Sequence, residues 1–340
     1  MNNINIFLVR SPFQLLSAIE AKEYFKNEYS ILIIGRVILR DGDKLMNSML
    51  SLSKFDKIIK ITNELSYIEG LKILLFIRLQ KLYNRKINKI FVGFPEEAMF
   101  QWICENIYAE KYFIIDDGIH TFALQRDFFS KGNYLQREIT KESSLQVFKK
   151  NIKKYLFGID SVNIIKYNLF TCFNIKKLSN QVVIIHHFQY IKKLVNSIKL
   201  LNNTAYFYGA PLSEDNIITI ENELNLLINI NNLYIKKDKK LYYIPHPRDS
   251  QNKINLIDKM GIKIKYLSNI AEVEPIIFKN QPTQIASFLS TILFTLPKIY
   301  HYEEVIAFKI PNEHISSRLQ AIEKLYNEYE KDKDIKVISI

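Results

Sequence analysis

The front half of the chain alternates short apolar runs with longer segments of mixed polarity. The short runs are apolar on successive residues, which is typical of parallel strands buried on both faces. These predicted strands lie at 4–9, 30–34, 57–61, 89–93 and 111–115. The segments between them predict helices at 12–25, 42–52, 66–82 and 95–108. The repeated strand–helix order predicts a doubly wound α/β domain over residues 1–140.

The back half repeats this pattern after a change of character near residue 141. Residues 141–180 are rich in lysine, helical in period and poor in strand signals, and are interpreted as a helical linker. Further strands are predicted at 181–187, 204–208, 240–245, 263–267, 274–278 and 298–302, and helices at 188–201, 213–230, 250–260 and 291–296. They predict a second doubly wound domain over 181–312, followed by a C-terminal helix and tail over 313–340.

This organisation indicates where a ligand would bind. Two Rossmann-like domains joined by a linker predict an α/β fold whose domains face each other across a cleft. In doubly wound sheets, ligands bind beyond the carboxyl ends of the strands. Polar residues that directly follow a buried strand are therefore the first candidates for a functional site.

Composition and charge narrow the choice of partners. The formal net charge is +12, which suits a nucleic acid, an anionic membrane surface or an anionic substrate. No arginine-rich arm, zinc-finger spacing or RNA-binding aromatic signature accompanies the lysines, so no nucleic-acid partner is predicted. The two cysteines, Cys104 and Cys172, lie in no metal-type or redox-type spacing.

The apolar segments are short, which bears on location. No secretory signal is predicted, because the first apolar run is short and polar residues follow it at once. The longest apolar stretches fall well below the roughly 20 residues of a membrane span. The expected location is the cytoplasm. An additional hypothesis is peripheral contact with the anionic inner face of the cytoplasmic membrane. The sequence leaves the oligomeric state open, and a homodimer is compatible with it.

The first candidate motif is Asp116-Asp117-Gly118, directly after the predicted strand that ends at Ile115. A carboxylate held in a partly dry site gains a pKa suited to a general base. Gly118 allows the chain to turn with little steric strain. The alternative is an Asp-Gly turn that caps the helix beginning near Thr121.

The second motif is Pro245-His246-Pro247-Arg248, after another predicted strand. Two flanking prolines stiffen the backbone and fix the direction of the imidazole. His246 can donate a proton to an anionic leaving group, and Arg248 can neutralise its charge. The alternative is a turn histidine without a catalytic role.

The third motif is Ser290-Thr291, where an apolar segment is predicted to turn into a helix. Hydroxyls at a helix N-terminus, together with free backbone N–H groups and the helix dipole, can hold a phosphate. The alternative is an ordinary N-cap.

Together the three motifs resemble those of the bacterial sialyltransferases of glycosyltransferase family 52, which are related to bacterial polysialyltransferases. That family has an acidic pair before glycine, a His-Pro dipeptide and a pair of hydroxyl residues. Two further stretches add to the resemblance, Ser11 to Leu16 and Gly209 to Asp215. It extends from about residue 4 to about residue 310.

The resemblance implies a GT-B fold and an inverting transfer from CMP-sialic acid that needs neither a metal nor a cofactor. It implies Asp116 as the general base with Asp117 as its orienting partner, and His246 as the acid or stabiliser of the leaving group. Asp215 is an alternative base. The implied donor-binding residues are Gly209, Pro211, Ser213, Glu214, Pro247, Arg248, Ser290 and Thr291. The implied acceptor-side residues are Ser11, Gln14 and Gly118.

The leading hypothesis is a sialyltransferase whose partners are a nucleotide-sugar donor and a glycan or glycolipid acceptor. By analogy, the acceptor is the 3-hydroxyl of a terminal galactose in lipooligosaccharide or capsule. The first alternative is a related transferase that uses another sugar or extends a polysialic chain. The alternative from another class is a non-catalytic basic protein that binds nucleic acid or glycan.

Overall fold

The computed structural model of the chain describes residues 3–26, 28–37, 42–61, 67–82, 85–131 and 165–340. The chain divides into two compact units, Met1–His186 and His187–Ile340, here called unit 1 and unit 2. Each unit contains one sheet of parallel strands with helices between them. The predicted α/β class is therefore confirmed.

Unit 1 is built on a seven-stranded parallel sheet in the order β3-β2-β1-β4-β5-β6-β7. Its strands are β1 (Asn3–Val9), β2 (Tyr29–Ile34), β3 (Lys57–Lys60), β4 (Lys86–Val92), β5 (Lys111–Ile115), β6 (Tyr167–Thr171) and β7 (Val183–Ile185). Its helices are α1 (Pro12–Tyr24), α2 (Gly42–Met49), α3 (Tyr67–Leu82), α4 (Ala98–Asn106) and α5 (Ile119–Ala123). The chain continues from α5 through one π-helical and one 3-10 turn to Lys131.

The core of unit 1 lies along its central strands. Phe7, Phe91 and Phe113 come from β1, β4 and β5 and form one continuous stack of rings. The ring centroids are 4.7 Å apart in the first pair and 5.3 Å apart in the second. Because these strands are buried on both faces, the sheet holds the carboxyl ends of β1, β4 and β5 in fixed relation to one another.

Unit 2 is built on a six-stranded parallel sheet in the order β10-β9-β8-β11-β12-β13. Its strands are β8 (Lys199–Tyr208), β9 (Lys240–Ile244), β10 (Lys263–Ile264), β11 (Asn280–Ser287), β12 (Glu304–Lys309) and β13 (Lys336–Ser339). Its helices are α6 (Gln189–Leu194), α7 (Ile220–Lys236), α8 (Gln251–Lys259), α9 (Glu274–Phe278), α10 (Ile292–Ile299) and α11 (Leu319–Lys331). Phe207 is central to the core and contacts the rings of Tyr243, Phe288 and Phe308.

The strands and helices predicted for residues 1–115 are all present, with ends that differ by a few residues. The agreement follows from their composition, since consecutive apolar residues produce a strong strand signal. None of the helices that the structure describes is both long and apolar enough to cross a membrane.

The predicted linker over 141–180 is wrong where the structure describes it. Residues 165–180 contain β6, which pairs with β5 and belongs to the sheet of unit 1. The predicted strand at 181–187 also belongs to unit 1, because β7 pairs with β6. The second unit therefore begins at His187 rather than at residue 181. The rest of the predicted linker, 141–164, lies outside the described residues.

Several predictions in unit 2 are also corrected. The predicted strand at 274–278 is helix α9, which has Pro275 in its first turn, where a missing N–H is tolerated. The strand predicted at 298–302 falls on the end of α10 and the turn after it. Most of the helix predicted at 188–201 is absent, since α6 is short and β8 starts at Lys199. The tail contains β13 as well as a helix.

Candidate functional site

The predicted site residues lie at the carboxyl ends of strands in each unit. In unit 1 they follow β1 and β5, and in unit 2 they follow β8, β9 and β11. The two groups are built by different contacts.

Asp116 is a fully buried carboxylate at the end of β5. Thr171 Oγ1 donates a hydrogen bond of 2.5 Å to its Oδ1, and the Cys172 backbone N–H donates one of 2.7 Å to its Oδ2. The Nε2 atom of buried His186 lies 3.5 Å from the same Oδ2. These contacts tie the end of β5 to that of β6. The Asp116 carboxylate is thus enclosed and held by internal donors.

Asp117 is the member of the acidic pair that is partly exposed. Gln14 Nε2 donates a hydrogen bond of 2.8 Å to its Oδ1, while the Asp117 backbone N–H donates to Thr121 Oγ1. Burial raises the pKa of Asp117, although the Gln14 hydrogen bond and the positive charges of His120 and Arg10 act in the opposite direction. This carboxylate therefore has the accessibility and the direction of pKa shift that a general base needs.

Gln14 is held in place from both sides. Ser11 caps α1 by accepting a hydrogen bond from the Gln14 backbone N–H at 3.2 Å. Gln14 Oε1 accepts from the Arg10 backbone N–H at 2.8 Å, which leaves Nε2 to donate to Asp117. Gly93, after β4, packs so closely that a Cβ there would lie 2.6 Å from the Gln14 side chain. Ser11 and Gln14 thus position Asp117.

The turn after the acidic pair depends on Gly118, whose φ of 69° lies in the left-handed region that favours glycine. The next residues form α5, with Thr121 accepting the Asp117 N–H. The predicted Asp-Gly turn is therefore present, but no aspartate side chain caps α5, whose N-cap residue is Gly118.

Sequence reasoning missed two ion pairs near this carboxylate. Arg10 pairs with Glu97, and His120 pairs with Glu96 at 2.6 Å. The Phe94 ring lies between them, 5.6 Å from the Arg10 guanidinium and 5.5 Å from the His120 ring. Position after a buried strand was the available signal, because Arg10 follows β1 and Phe94 and Glu97 follow β4.

His246 follows β9 in unit 2 and is held by its own turn. Its backbone N–H donates to Asp249 Oδ2 at 2.8 Å, and its ring Nδ1 accepts from the Arg248 backbone N–H at 3.1 Å. In a neutral imidazole one nitrogen accepts and the other donates, so Nε2 carries the proton. Burial lowers the pKa of His246 to about 4. At neutral pH the side chain is an uncharged donor in a fixed orientation.

Arg248 joins this turn to the loop after β8. Its Nη1 donates to the two carboxylate oxygens of Asp215 at 2.9 and 3.2 Å. A second guanidinium, that of Arg318, lies 3.8 Å from Asp215. Asp215 is thus paired with two guanidinium groups, and its role as the alternative base stays a prediction.

Glu214 is used within unit 2 rather than presented as a donor contact. Its Oε1 accepts from the Ser250 backbone N–H at 2.8 Å, and its Oε2 accepts from the Ser213 hydroxyl at 3.2 Å. Burial alone would raise the pKa of Glu214, but the Ser250 hydrogen bond and the charge of Lys253 hold it below its ordinary value. The prediction that Glu214 binds the donor does not fit these contacts.

Gly209 and Pro211 shape the loop after β8. A Cβ at Gly209 would overlap the Tyr243 hydroxyl and lie 2.8 Å from Asp249 Oδ2, so only glycine fits. Pro211 is buried beside it. Pro247, by contrast, is exposed next to His246.

Ser290 and Thr291 follow β11 and lead into α10. Ser290 Oγ accepts from the Ile292 backbone N–H at 3.3 Å, which is the geometry of the capping alternative. The Tyr329 hydroxyl accepts from the Ser290 N–H and donates to the Ser290 carbonyl, both at 2.9 Å. These contacts, separate from those of His246, place the two hydroxyls at the start of α10.

Asp249 and Lys253 are the residues of unit 2 that sequence reasoning missed. Both are buried and charged, and Lys253 Nζ lies 3.0 Å from Asp249 Oδ1. The signal was their spacing of four residues at the start of a helix, which places two side chains on one face.

A cavity of ≈ 160 Å³ lies elsewhere in unit 2, on the face of its sheet. Aromatic side chains line it together with Lys265 and Glu274, and none of the predicted site residues does. Across the described ranges, no group of three or more His, Cys, Asp or Glu residues is arranged to hold a metal ion.

Residues 5–309 of this chain match the family model of the alpha-2,8-polysialyltransferases. The search of curated protein sequences gives no match.

Several solved structures share the fold. A 2,6-sialyltransferase from Photobacterium sp. JT-ISH-224, solved with CMP and lactose, is 13% identical with a TM-score of 0.50, over 98% of this chain and 78% of that one. An alpha-2,3-sialyltransferase from Photobacterium phosphoreum is 13% identical with a TM-score of 0.49, over 99% and 98%. A UDP-GlcNAc 2-epimerase from Neisseria meningitidis is also 13% identical with a TM-score of 0.49, over 97% and 92%.

The fold is thus of the GT-B type, with two Rossmann-like domains, as the resemblance implied. A shared fold alone does not decide the activity. The family match decides the activity, because it extends over all three motifs. This chain is a sialyltransferase that belongs to the alpha-2,8-polysialyltransferase family.

Proposed function

We propose that this sialyltransferase transfers sialic acid from CMP-sialic acid to a glycan hydroxyl, with inversion at the anomeric carbon. The observation that carries the proposal is the family match over residues 5–309. It also argues against the non-catalytic alternative. The contacts around the three motifs support the roles that follow.

Asp117 is the proposed general base. The acceptor oxygen attacks the anomeric carbon of sialic acid, the bond from that carbon to the CMP phosphate breaks, and Asp117 takes the proton of the acceptor hydroxyl. Asp117 is the accessible acid, and burial raises its pKa. Asp116 becomes the scaffold, because its two oxygens are held by Thr171 and Cys172.

His246 is the proposed stabiliser of the departing CMP. Its ring is neutral at pH 7 with the proton on Nε2, so it donates a hydrogen bond to the phosphate instead of acting as a pre-charged acid. Arg248 supplies a permanent positive charge nearby. Stabilising the leaving group matters here, because the transition state has oxocarbenium character and negative charge develops on the phosphate.

Ser290 and Thr291 are proposed to hold the CMP phosphate. The support is their position at the start of α10, where the helix dipole favours an anion. Donor binding by Gly209, Pro211, Ser213 and Pro247 stays a prediction. Glu214 is proposed instead to hold the loop, as its hydrogen bond from Ser250 indicates.

The acceptor is proposed to be a terminal sialic acid, because the matching family is that of alpha-2,8-polysialyltransferases. The 3-hydroxyl of a terminal galactose, in lipooligosaccharide or capsule, is the second candidate. Parallel reactions with lactose and with sialyllactose separate the two. Elongation of sialyllactose alone supports the first candidate, and product from lactose alone supports the second.

The base assignment is tested by Asp117→Asn with Asp127→Asn as the matched control. Asp127 is an exposed acid of the same unit, in contact with Arg126. We expect Asp117→Asn to lower kcat by about 100- to 10,000-fold, the usual effect of losing a general base. The control should keep the wild-type rate. A wild-type rate in folded Asp117→Asn contradicts the assignment.

The pH dependence of kcat/KM is a second test of Asp117 as the general base. Because Asp117 must be ionised to accept a proton and burial raises its pKa, kcat/KM should fall as the pH drops through that raised value.

We also propose that no metal is required, so activity should persist in EDTA. Loss of activity in EDTA with recovery on adding Mg²⁺ would overturn that part.

A further inference from the structure

Lys253 is a fully buried lysine on α8, and carboxylates and a carbonyl surround its ammonium group. Its Nζ lies 2.5 Å from Glu223 Oε1, 3.0 Å from Asp249 Oδ1 and 3.3 Å from Glu214 Oε2. It also donates to the Ala210 carbonyl oxygen at 2.9 Å. A lysine ammonium has three protons to donate, and here each has an oxygen within reach.

These oxygens come from three separate segments of unit 2. Ala210 and Glu214 lie in the loop after β8, Asp249 in the turn after β9, and Glu223 on α7. A single cation therefore joins two of the strand ends that carry predicted donor residues.

One of these contacts leads to the backbone of His246. Asp249 uses Oδ1 for Lys253 and Oδ2 for two other groups, the His246 backbone N–H and the Tyr243 hydroxyl, both at 2.8 Å. His246 is therefore separated from Lys253 by one carboxylate. The side-chain conformation of Asp249 therefore determines both its contact with Lys253 Nζ and its contact with the His246 backbone N–H.

Three carboxylates, those of Glu214, Glu223 and Asp249, surround the single ammonium group of Lys253. Burial alone would lower the pKa of Lys253, but Glu223 and Asp249 outweigh it and raise that pKa, so the ammonium stays charged. Burial raises the pKa of Glu223 despite its contact with Lys253. A neutral side chain at position 253 would leave these carboxylates without their cation.

We propose that Lys253 is a positioning residue: through Asp249 it holds the turn that presents His246 Nε2–H to the donor phosphate. The catalytic part of this inference rests on the proposed function. Lys253 is enclosed beneath the loops and touches no substrate in this role.

The charged and titratable groups that face His246 come from each segment packed against it. Asp249 favours the imidazolium form, whereas Arg248 and Lys253 oppose it, and Asp215 favours it from the loop after β8. Glu214, Glu223 and Tyr243 lie behind these groups, around Asp249 and Lys253. Removing the Lys253 charge therefore shifts the balance toward the protonated ring.

The test is Lys253→Met, with Lys259→Met as the matched control on the exposed face of the same helix. In the wild type, NMR titration should show His246 as the neutral Nε2–H tautomer down to about pH 4. In folded Lys253→Met we expect the His246 pKa to rise by about one unit or more, and the tautomer population to become mixed. In Lys259→Met, the His246 pKa and tautomer should be the same as in the wild type.

The same variants separate positioning from folding. Lys253→Met should lower kcat by about tenfold or more while KM for the acceptor stays near the wild-type value, because the acceptor does not meet this turn. If Lys253→Met does not fold, the double variant Lys253→Met with Glu223→Gln removes one buried acid together with the cation. An unchanged His246 pKa and tautomer in either folded variant overturns the proposal.

The NMR reading also separates this inference from the proposed function. A shifted His246 pKa in a protein that transfers no sialic acid would leave the positioning role standing and refute the function. An unshifted pKa in an active enzyme would refute the role of Lys253 alone.

Discussion

At the residue scale, the acidic pair shows how neighbours in sequence acquire opposite environments. Asp116 is enclosed by β6, whereas Asp117 turns toward Gln14 and remains partly exposed. The sequence analysis predicted Asp116 as the base with Asp117 as its partner, whereas the proposed function gives the role of base to Asp117. The partners that bury Asp116, Thr171 and Cys172, come more than fifty residues later and carry no local signal.

His246 makes a testable contribution to the pH dependence of stability. In the unfolded chain its imidazole takes up a proton below about its ordinary value of 6.5, while in the folded protein it does so only near 4. The unfolded state therefore binds more protons between these values, and the folded state loses stability as the pH falls through this window. His246→Asn lacks this linkage, so its free energy of unfolding should fall less steeply from pH 6.5 to pH 4.

Denaturant unfolding of wild type, His246→Asn and the control His301→Asn at several pH values measures this. His301 is an exposed histidine of the same unit and controls for the loss of one histidine. Equal pH dependence in His246→Asn and the wild type contradicts the account of a buried neutral ring.

At the element scale, the early strands were predicted and several later ones were not. Strands β1 to β5 were all predicted, most of them from runs of apolar residues, whereas β6, β11 and β12 were not predicted at their observed positions. Strand β11 carries Gln281, Thr283 and Gln284, which are buried but hydrogen-bonded to His301, Thr204 and Glu304. Because these partners engage the two side-chain NH₂ groups and the Thr283 hydroxyl, polar residues occupy a buried strand, and the hydrophobic pattern over 281–284 does not reveal it.

The two sheets were predicted as a class, but their boundary was not. Strands β6 and β7 complete the sheet of unit 1 after a long interval of sequence, so nothing local says which sheet they join. The three motifs were found because each follows an apolar segment. Lys253 was missed because two of its partners, Glu223 and Glu214, come from other segments.

The close approach of β4 and α1 gives a prediction at this scale. Gly93→Ala places a methyl group 2.6 Å from the Gln14 side chain, which must then move and lose its hydrogen bond to Asp117. We expect a lower kcat with the fold retained. In the double variant Gly93→Ala with Gln14→Ala, the methyl group has room and its effect disappears.

Steady-state kinetics of the four combinations measure the coupling between the two positions. The double variant should match Gln14→Ala alone, because the two changes act on one contact. If the two effects simply add, Gly93 does not act through Gln14 and this explanation is wrong.

At the scale of the whole molecule, charge suggests where the enzyme works. The net charge of +12 favours attraction to an anionic surface, and the proposed acceptor is a glycan that can be lipid-linked. We expect the protein to sediment with anionic vesicles at low salt and to be released as salt screens the attraction. Equal sedimentation with neutral and anionic vesicles at low salt contradicts peripheral attachment.

The family match extends over both units, and in the proposed function unit 1 supplies the proton acceptor and unit 2 holds the nucleotide. The most direct measurement is the release of CMP from CMP-sialic acid, followed together with the glycan product when sialyllactose or lactose is the acceptor. We expect the wild type to form CMP and a sialylated product in equal amounts, and Asp117→Asn and His246→Asn to form little of either. A folded wild-type protein that releases no CMP and forms no product with either acceptor contradicts the account.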